Sequence, residues 1–289
     1  MIFDAHTDVL FDVINNHHTF TYHLKEMNGY QGAILNYYFK GNESYSSFLF
    51  VLDKIKKFYE DNKNLLERKN MLLGIEGLGA VKSVQDLKSL IETGIKSVTL
   101  TWNDNNKFAM GTYCGNQSGL TSEGKKVLDY LFDKQILVDL SHLSEKSFWD
   151  VINYYQGAMI VSHSNVKKLQ NDERNLSDEQ LRIIKDKNIL VGVNSYAKFV
   201  GQKENLESLV NIIDYLKEKI GINLICLGLD FDYYLNSTKT SGAIEGLKSS
   251  ADLDKLKNLL KIHGYKEYEI RKIFYGNILY FLKKTKILC

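Results

Sequence analysis

Eight short, near-continuous apolar and β-branched runs recur along the chain, at 2–6, 32–37, 71–76, 97–102, 136–142, 158–163, 189–194 and 224–230. Most lack the period-two alternation of a strand with one wet face, so they are predicted as strands covered on both faces. Between them, apolar residues recur at helical spacing over 48–59, 84–93, 123–133, 145–154, 178–187 and 204–219. Ser144 before Glu145 and Ser177 before Asp178 are predicted to cap helix N-termini, and Thr121 or Ser122 to open the helix that includes Glu123. Strand and helix alternate, and eight strands in a chain of this length predict an α/β fold: a single (β/α)8 TIM barrel over 1–289. No Gly-x-Gly-x-x-Gly or Walker loop follows a strand, which removes support for a nucleotide-binding doubly wound sheet. The chain has no proline, so one of the two strong turn markers is missing and element ends are the least defined part of this reading.

Composition narrows the partners. Of 289 residues, 44% are hydrophobic and 25% charged, the balance of a globular protein with a substantial core. Lys and Arg total 37 against 35 Asp and Glu, so no excess charge points to nucleic acid or an anionic membrane, and a small-molecule substrate is expected. Cys114, Cys226 and Cys289 are widely spaced and form no CxxC pair, which argues against a disulfide framework and for a reducing compartment. With no secretory signal and no membrane-length apolar run, the expected location is cytoplasmic.

The chemistry shows in where polar residues fall. The first strand ends in Asp4-Ala5-His6-Thr7-Asp8, the third in Glu76, the fifth in His142, the sixth in His163 and the eighth in Asp230. In a barrel the C-terminal ends of the strands form the active-site face, so residues distant in sequence converge there. His6 and Asp8, two apart on a strand, point to one side and suit a chelating pair. Imidazoles and carboxylates are the donors that zinc-like divalent ions take, and Glu76 could bridge two ions that acidify a shared water. A lone strand-end histidine is ordinarily structural, but five such residues on one face favour a metal site. His17, His18 and His23 lie in a polar connecting stretch and are read as apart from the catalytic metal, and His263 as a surface or interface residue. The 18 Tyr and 14 Phe are read as core and pocket wall.

These segments resemble the membrane dipeptidase family, barrel metallopeptidases of the amidohydrolase-like superfamily. FDAHTD is similar to the family's Asp-x-His-x-Asp start, GIEG to its third-strand end, VDLSHLS and VSHSN to its two histidine strands, and GLDFD to its eighth-strand segment. SGLTSEG, ERNLSDEQLR and GNILYFL extend the match over nearly the whole chain. The resemblance implies that His6 and Asp8 hold one zinc, His142 and His163 another, and Glu76 bridges them as part of the catalytic centre. It makes Asp230 the carboxylate that shuttles a proton from the water to the leaving amine, with Asp232 a lesser candidate, and Arg174 the receiver of the substrate's terminal carboxylate.

One position departs from the family. Where well-known members carry Leu-Thr-His at the fourth strand end, this chain reads Leu100-Thr101-Trp102. An indole can donate one hydrogen bond or form an apolar wall but cannot ligate a metal, so substrate range or rate is expected to differ. The leading expectation is a zinc dipeptidase, homodimeric by resemblance, that accepts dipeptides including those with a D-residue second. The alternatives are an amidohydrolase acting on a lactone or non-peptide amide, and a catalytically idle metal-binding barrel.

Overall fold

The computed structural model describes residues 1–15, 17–41, 43–115, 117–232, 234 and 242–288; Cys289 lies outside them. Its strands are β1 (Ile2–Thr7), β2 (Tyr30–Tyr38), β3 (Met71–Glu76), β4 (Ile95–Thr99), β5 (Leu137–Asp139), β6 (Met159–Val161), β7 (Leu190–Val193) and β8 (Ile225–Leu227). They form a closed barrel in sequence order, the fold expected from the alternation. Every residue of β1, β3, β5, β6, β7 and β8 is buried, which is why these runs read as continuously apolar rather than alternating.

The helices are α1 (Val9–Ile14), α2 (Phe20–Glu26), α3 (Tyr45–Arg68), α4 (Val84–Glu92), α5 (Ser122–Asp133), α6 (Glu145–Tyr154), α7 (Asp178–Asp186), α8 (Ala197–Val200), α9 (Leu206–Ile220), α10 (Leu253–Ile262), α11 (Glu267–Arg271) and α12 (Asn277–Lys284). Thr121 caps α5 by accepting from the Gly124 amide, so Ser122 is the first helical residue rather than the cap. Ser144 and Ser177 cap α6 and α7 as predicted, the latter in a reciprocal capping box with Gln180. Each such cap stabilises its helix by about 1 kcal/mol. The connecting stretch that holds His17, His18 and His23 is partly helical: α2 buries His23 completely.

Contacts divide the chain into two compact units, residues 1–33 with 161–284, and residues 34–160 with 285–289. In the first, β7, β8 and β1 pair in parallel with Val191 opposite Ile225 and Asp4 opposite Leu227. Phe3, Leu10, Ile212, Ile213 and Phe274 are fully or almost fully buried there. In the second, β3, β4, β5 and β6 pair in parallel, with Glu76 opposite Thr99 and Thr99 opposite Asp139. Phe48, Ile55, Leu128 and Phe148 fill its interior.

Five strands stop short of their predicted ends, the seventh by a single residue. His142 and Asp230 have φ of 63° and 56°, left-handed values that no strand residue adopts, so pairing ends before them and each occupies the turn beyond its strand. Trp102 and His163 likewise lie past the ends of β4 and β6. These four residues therefore lie just beyond their strands, whereas His6 and Glu76 belong to β1 and β3.

Candidate active site

In the first unit, β1 delivers His6, and Asp8 follows directly as the residue preceding α1. Asp4 anchors this strand: it is fully buried and accepts the amides of Leu229 and His6 at 2.9 and 3.3 Å. Burial lifts its carboxyl from the usual range to about 7, against those amides, which pull the other way. Because Leu229 immediately precedes Asp230, Asp4 ties the first and eighth strand ends together, and the Asp230 amide donates to the His6 carbonyl.

His6 Nε2 lies 3.6 Å from Asp8 Oδ1 and 4.0 Å from Asp230 Oδ1, and one donor atom from each of the three residues lies within 4.8 Å of the others. Those separations exceed hydrogen-bond length. Ligand bonds of about 2.1 Å at near-tetrahedral angles put two donors about 3.4 Å apart, so the spacing fits atoms gathered around one divalent cation. The His163 ring lies against His6 with centroids 3.7 Å apart, and Ser162 Oγ sits 2.6 Å from His163 Nδ1. Asn194 Nδ2 donates to Asp230 Oδ2 at 3.1 Å and holds that carboxylate in its left-handed turn.

Arg174, buried in the same unit, donates to Ser164 Oγ and to the His163 carbonyl, both at 3.2 Å, and its guanidinium faces the Phe199 ring. Two of its N–H groups are thus spent on neutral oxygens that fix the fork's plane. Asp232 accepts from the Gly242 amide at 2.8 Å, a loop-organising bond that sets it apart from the Asp230 grouping.

In the second unit, Glu76 closes β3 and its Oε1 lies 2.8 Å from His142 Nε2. The other nitrogen of His142 lies 3.0 Å from Asn103 Oδ1. An amide oxygen can only accept, so it takes Nδ1–H, and Nε2 is the nitrogen turned to the Glu76 carboxylate. Gly77 follows Glu76 with φ of 84°, and a Cβ there would meet the Trp102 backbone nitrogen at 2.9 Å, so only glycine allows β3 to end this close to Trp102. The Trp102 indole is stacked between Tyr38 and His142, with centroids 5.6 and 6.4 Å away. It serves as an aromatic wall on the His142 imidazole.

Sequence reasoning missed Ser162, Asn103 and Asn194, which position histidines or Asp230. Asn194 carried a readable signal, since it is the polar end of the predicted seventh strand. Asn103 and Ser162 carried none: each is defined by a contact with a residue from another loop or strand.

The strand ends of this closed parallel barrel gather imidazoles and carboxylates, the donor types that divalent ions take. Residues 44–288 match the family model described as membrane dipeptidase, peptidase family M19, and the chain belongs to that family. His6 and Asp8 precede the matched span. The chain is 31% identical over 228 residues to the "Uncharacterized protein in pqqA 5'region" of Klebsiella pneumoniae, covering 74% of this chain and 82% of that one. It is 26% identical over 233 residues to dipeptidase 3 of Mus musculus, covering 76% of this chain and 45% of that protein, and it spans about half the length of several other relatives. In fold it is similar to a metallopeptidase from Rhodobacter sphaeroides solved with a phosphinate mimic of L-Ala-D-Ala, with a TM-score of 0.83, 21% identity, and 98% of this chain and 99% of that chain covered. Among the described residues no helix is long and apolar enough to cross a membrane.

Proposed function

We propose that this protein is a metal-dependent dipeptidase that cleaves the single peptide bond of small dipeptides bearing a free C-terminal carboxylate. The observation that carries the reading is the His6 and Asp8 pair, whose donor atoms stand 3.6 Å apart, spaced for a cation and not for a hydrogen bond, with the Asp230 carboxylate 4.0 Å from His6 beside them. His6, Asp8 and His163 from the first unit, and Glu76 and His142 from the second, are proposed as ligands of two divalent ions, with zinc the best match to mixed imidazole and carboxylate donors. When bound, such ions acidify a water and polarise the scissile carbonyl.

Asp230 is proposed to take the proton of the attacking water and return it to the leaving amine. Its side chain is 22% exposed, enough to meet a substrate, and Asn194 keeps it aimed. Arg174 is proposed to pair with the substrate's terminal carboxylate, which limits substrates by charge and length. The Rhodobacter protein was solved with a mimic of a dipeptide whose second residue is D, and this chain is proposed to accept that configuration also.

The test is hydrolysis of a panel of L,L- and L,D-dipeptides by metal-loaded protein, beside an Asp230→Asn variant, a chelator-treated sample and C-terminally amidated substrates. Turnover by the loaded wild type alone, and none of the amides, is the expected result. If no dipeptide is cleaved, the peptidase reading fails. Trp102 gives a specific ground for a second reading in that case, because an aromatic wall beside His142 favours a flatter, less polar substrate, such as a lactone or cyclic amide.

A further inference from the structure

Away from the strand-end residues, three histidines surround one carboxylate. Asp12 lies on α1 with its side chain fully buried, and His23, also fully buried, comes from α2. His23 Nε2 is 2.7 Å and His18 Nδ1 3.0 Å from the same oxygen, Asp12 Oδ2, while His17 Nδ1 is 3.3 Å from Oδ1. Among the described residues, no Lys or Arg pairs with this carboxylate. Oδ1 is buried and accepts no hydrogen bond, so half of an anionic group has been taken out of water with its usual compensation missing. His23 is itself kept from charging: burial drives its pKa below the usual imidazole value, with the bond to Asp12 pulling the other way. A cation entering here would take the place of the proton between His23 Nε2 and Asp12 Oδ2, which moves to Nδ1, so that an imidazole nitrogen and a carboxylate oxygen become its donors.

The rings are also held in place. Tyr22 stacks on His18 at 4.4 Å, and Tyr22 and Tyr234 meet the face of His23 edge-on at 5.3 and 4.8 Å. Thr19 between them caps α2 through the Tyr22 amide, which fixes where His18 and His23 stand relative to each other. One donor atom each from Asp12, His18 and His23 lies within 4.8 Å of the others, close to the spread of ligands on one ion. His17 and His18 are 49% and 37% exposed in their side chains and give the position an opening to solvent.

We propose that Asp12, His18 and His23 form a separate binding site for a zinc-class transition-metal cation that clamps α1 to α2. Two imidazoles and one carboxylate supply three of the four positions of a tetrahedral set, with His17 Nδ1 3.3 Å from Asp12 Oδ1 beside them. The ion's place is one helical turn beyond Asp8, whose carbonyl accepts the Asp12 amide, so the ion also steadies the segment that carries Asp8.

The test is a metal count on the full-length chain, stripped with chelator, equilibrated with zinc alone, desalted and measured by plasma mass spectrometry. A His18→Gln/His23→Gln double variant is expected to hold one equivalent less than the wild type, and equal counts overturn the proposal. Because His23 is buried, a His17→Gln/His18→Gln variant at part-exposed positions is measured beside it, with circular dichroism to confirm its fold. In that variant one zinc equivalent is expected to pass to a competing chromophoric chelator at a lower concentration than in the wild type, and unchanged retention overturns the proposal. The readout is a difference, so it stands whether the strand-end residues hold two ions, one or none. It fails separately from the dipeptidase reading.

Discussion

The imidazole of His163 lies against that of His6 with ring centroids 3.7 Å apart and 35° between their planes. Ser162 Oγ reaches both, at 2.6 Å from His163 Nδ1 and 3.4 Å from His6 Nδ1, and so selects which nitrogen of each ring is left for a ligand bond. Ser162→Ala is expected to weaken metal retention about 10–100-fold, the usual cost of losing an outer partner of a metal-bound histidine. Chelator competition on both proteins checks this, and equal retention would show that the hydroxyl does not orient the rings.

Asp230 combines a proton-accepting side chain with a left-handed backbone, φ 56°. After glycine, asparagine is the uncharged residue that best tolerates that conformation, so Asp230→Asn removes the base and leaves the turn intact. The expected loss in kcat is about 10²–10⁴-fold, the range for a general acid–base residue, with the metal count unchanged. If metal leaves together with activity, Asp230 is a ligand first and its role as proton carrier falls.

The barrel was legible because strands buried on both faces leave an uninterrupted apolar signature, and helix starts because Ser144 and Ser177 are followed by helix-forming runs. Strand ends were not. The segment 136–142 reads as one strand, yet only Leu137–Asp139 pair as one, since the turn at His142 depends on contacts from elsewhere: Thr112 and Thr101 both donate to its carbonyl. The carboxylate and histidine positions could be read because each follows an apolar run. Their supports, Asn103 and Ser162, could not, because polar residues in loops look alike until the chain is folded. The same holds for His23: amid polar neighbours it reads as a connector, and only Asp12, eleven residues earlier on another helix, explains its burial.

Gly192 and Gly228 lie opposite the backbone that carries Ser162 and His163. A Cβ on either would enter the contact radius of the Ser162 carbonyl oxygen, and the next atoms met are also backbone, which cannot swing aside. Gly228→Ala is therefore expected to destabilise the protein by about 1–3 kcal/mol, the usual penalty for overpacking, and to displace His163 along with the strand end. Urea unfolding read with metal content checks both effects. An alanine variant with unchanged midpoint and metal count would mean that this region is looser than its packing implies.

His263, just past α10, has Nδ1 2.9 Å from Asp214 and Nε2 3.0 Å from Glu207, both on α9. Carboxylates at both nitrogens call for two N–H donors, which is the imidazolium. Its pKa is accordingly raised above the usual 6.5, first by the hydrogen bond to Asp214 and further by Glu207, with desolvation opposing. A raised folded-state pKa means that the native protein holds the proton more tightly than the unfolded chain. The resulting stability is fully present below the unfolded value and is lost as pH rises through the folded one. The carboxylates are largely solvent-facing, so screening limits the contribution to about 0.2–1 kcal/mol. Comparing thermal midpoints of the wild type and His263→Gln at about pH 6 and about pH 9 provides the check. The wild type is expected to melt higher at the acid end, with the gap closing at the alkaline end; a gap that does not change with pH would mean that His263 contributes packing and not charge.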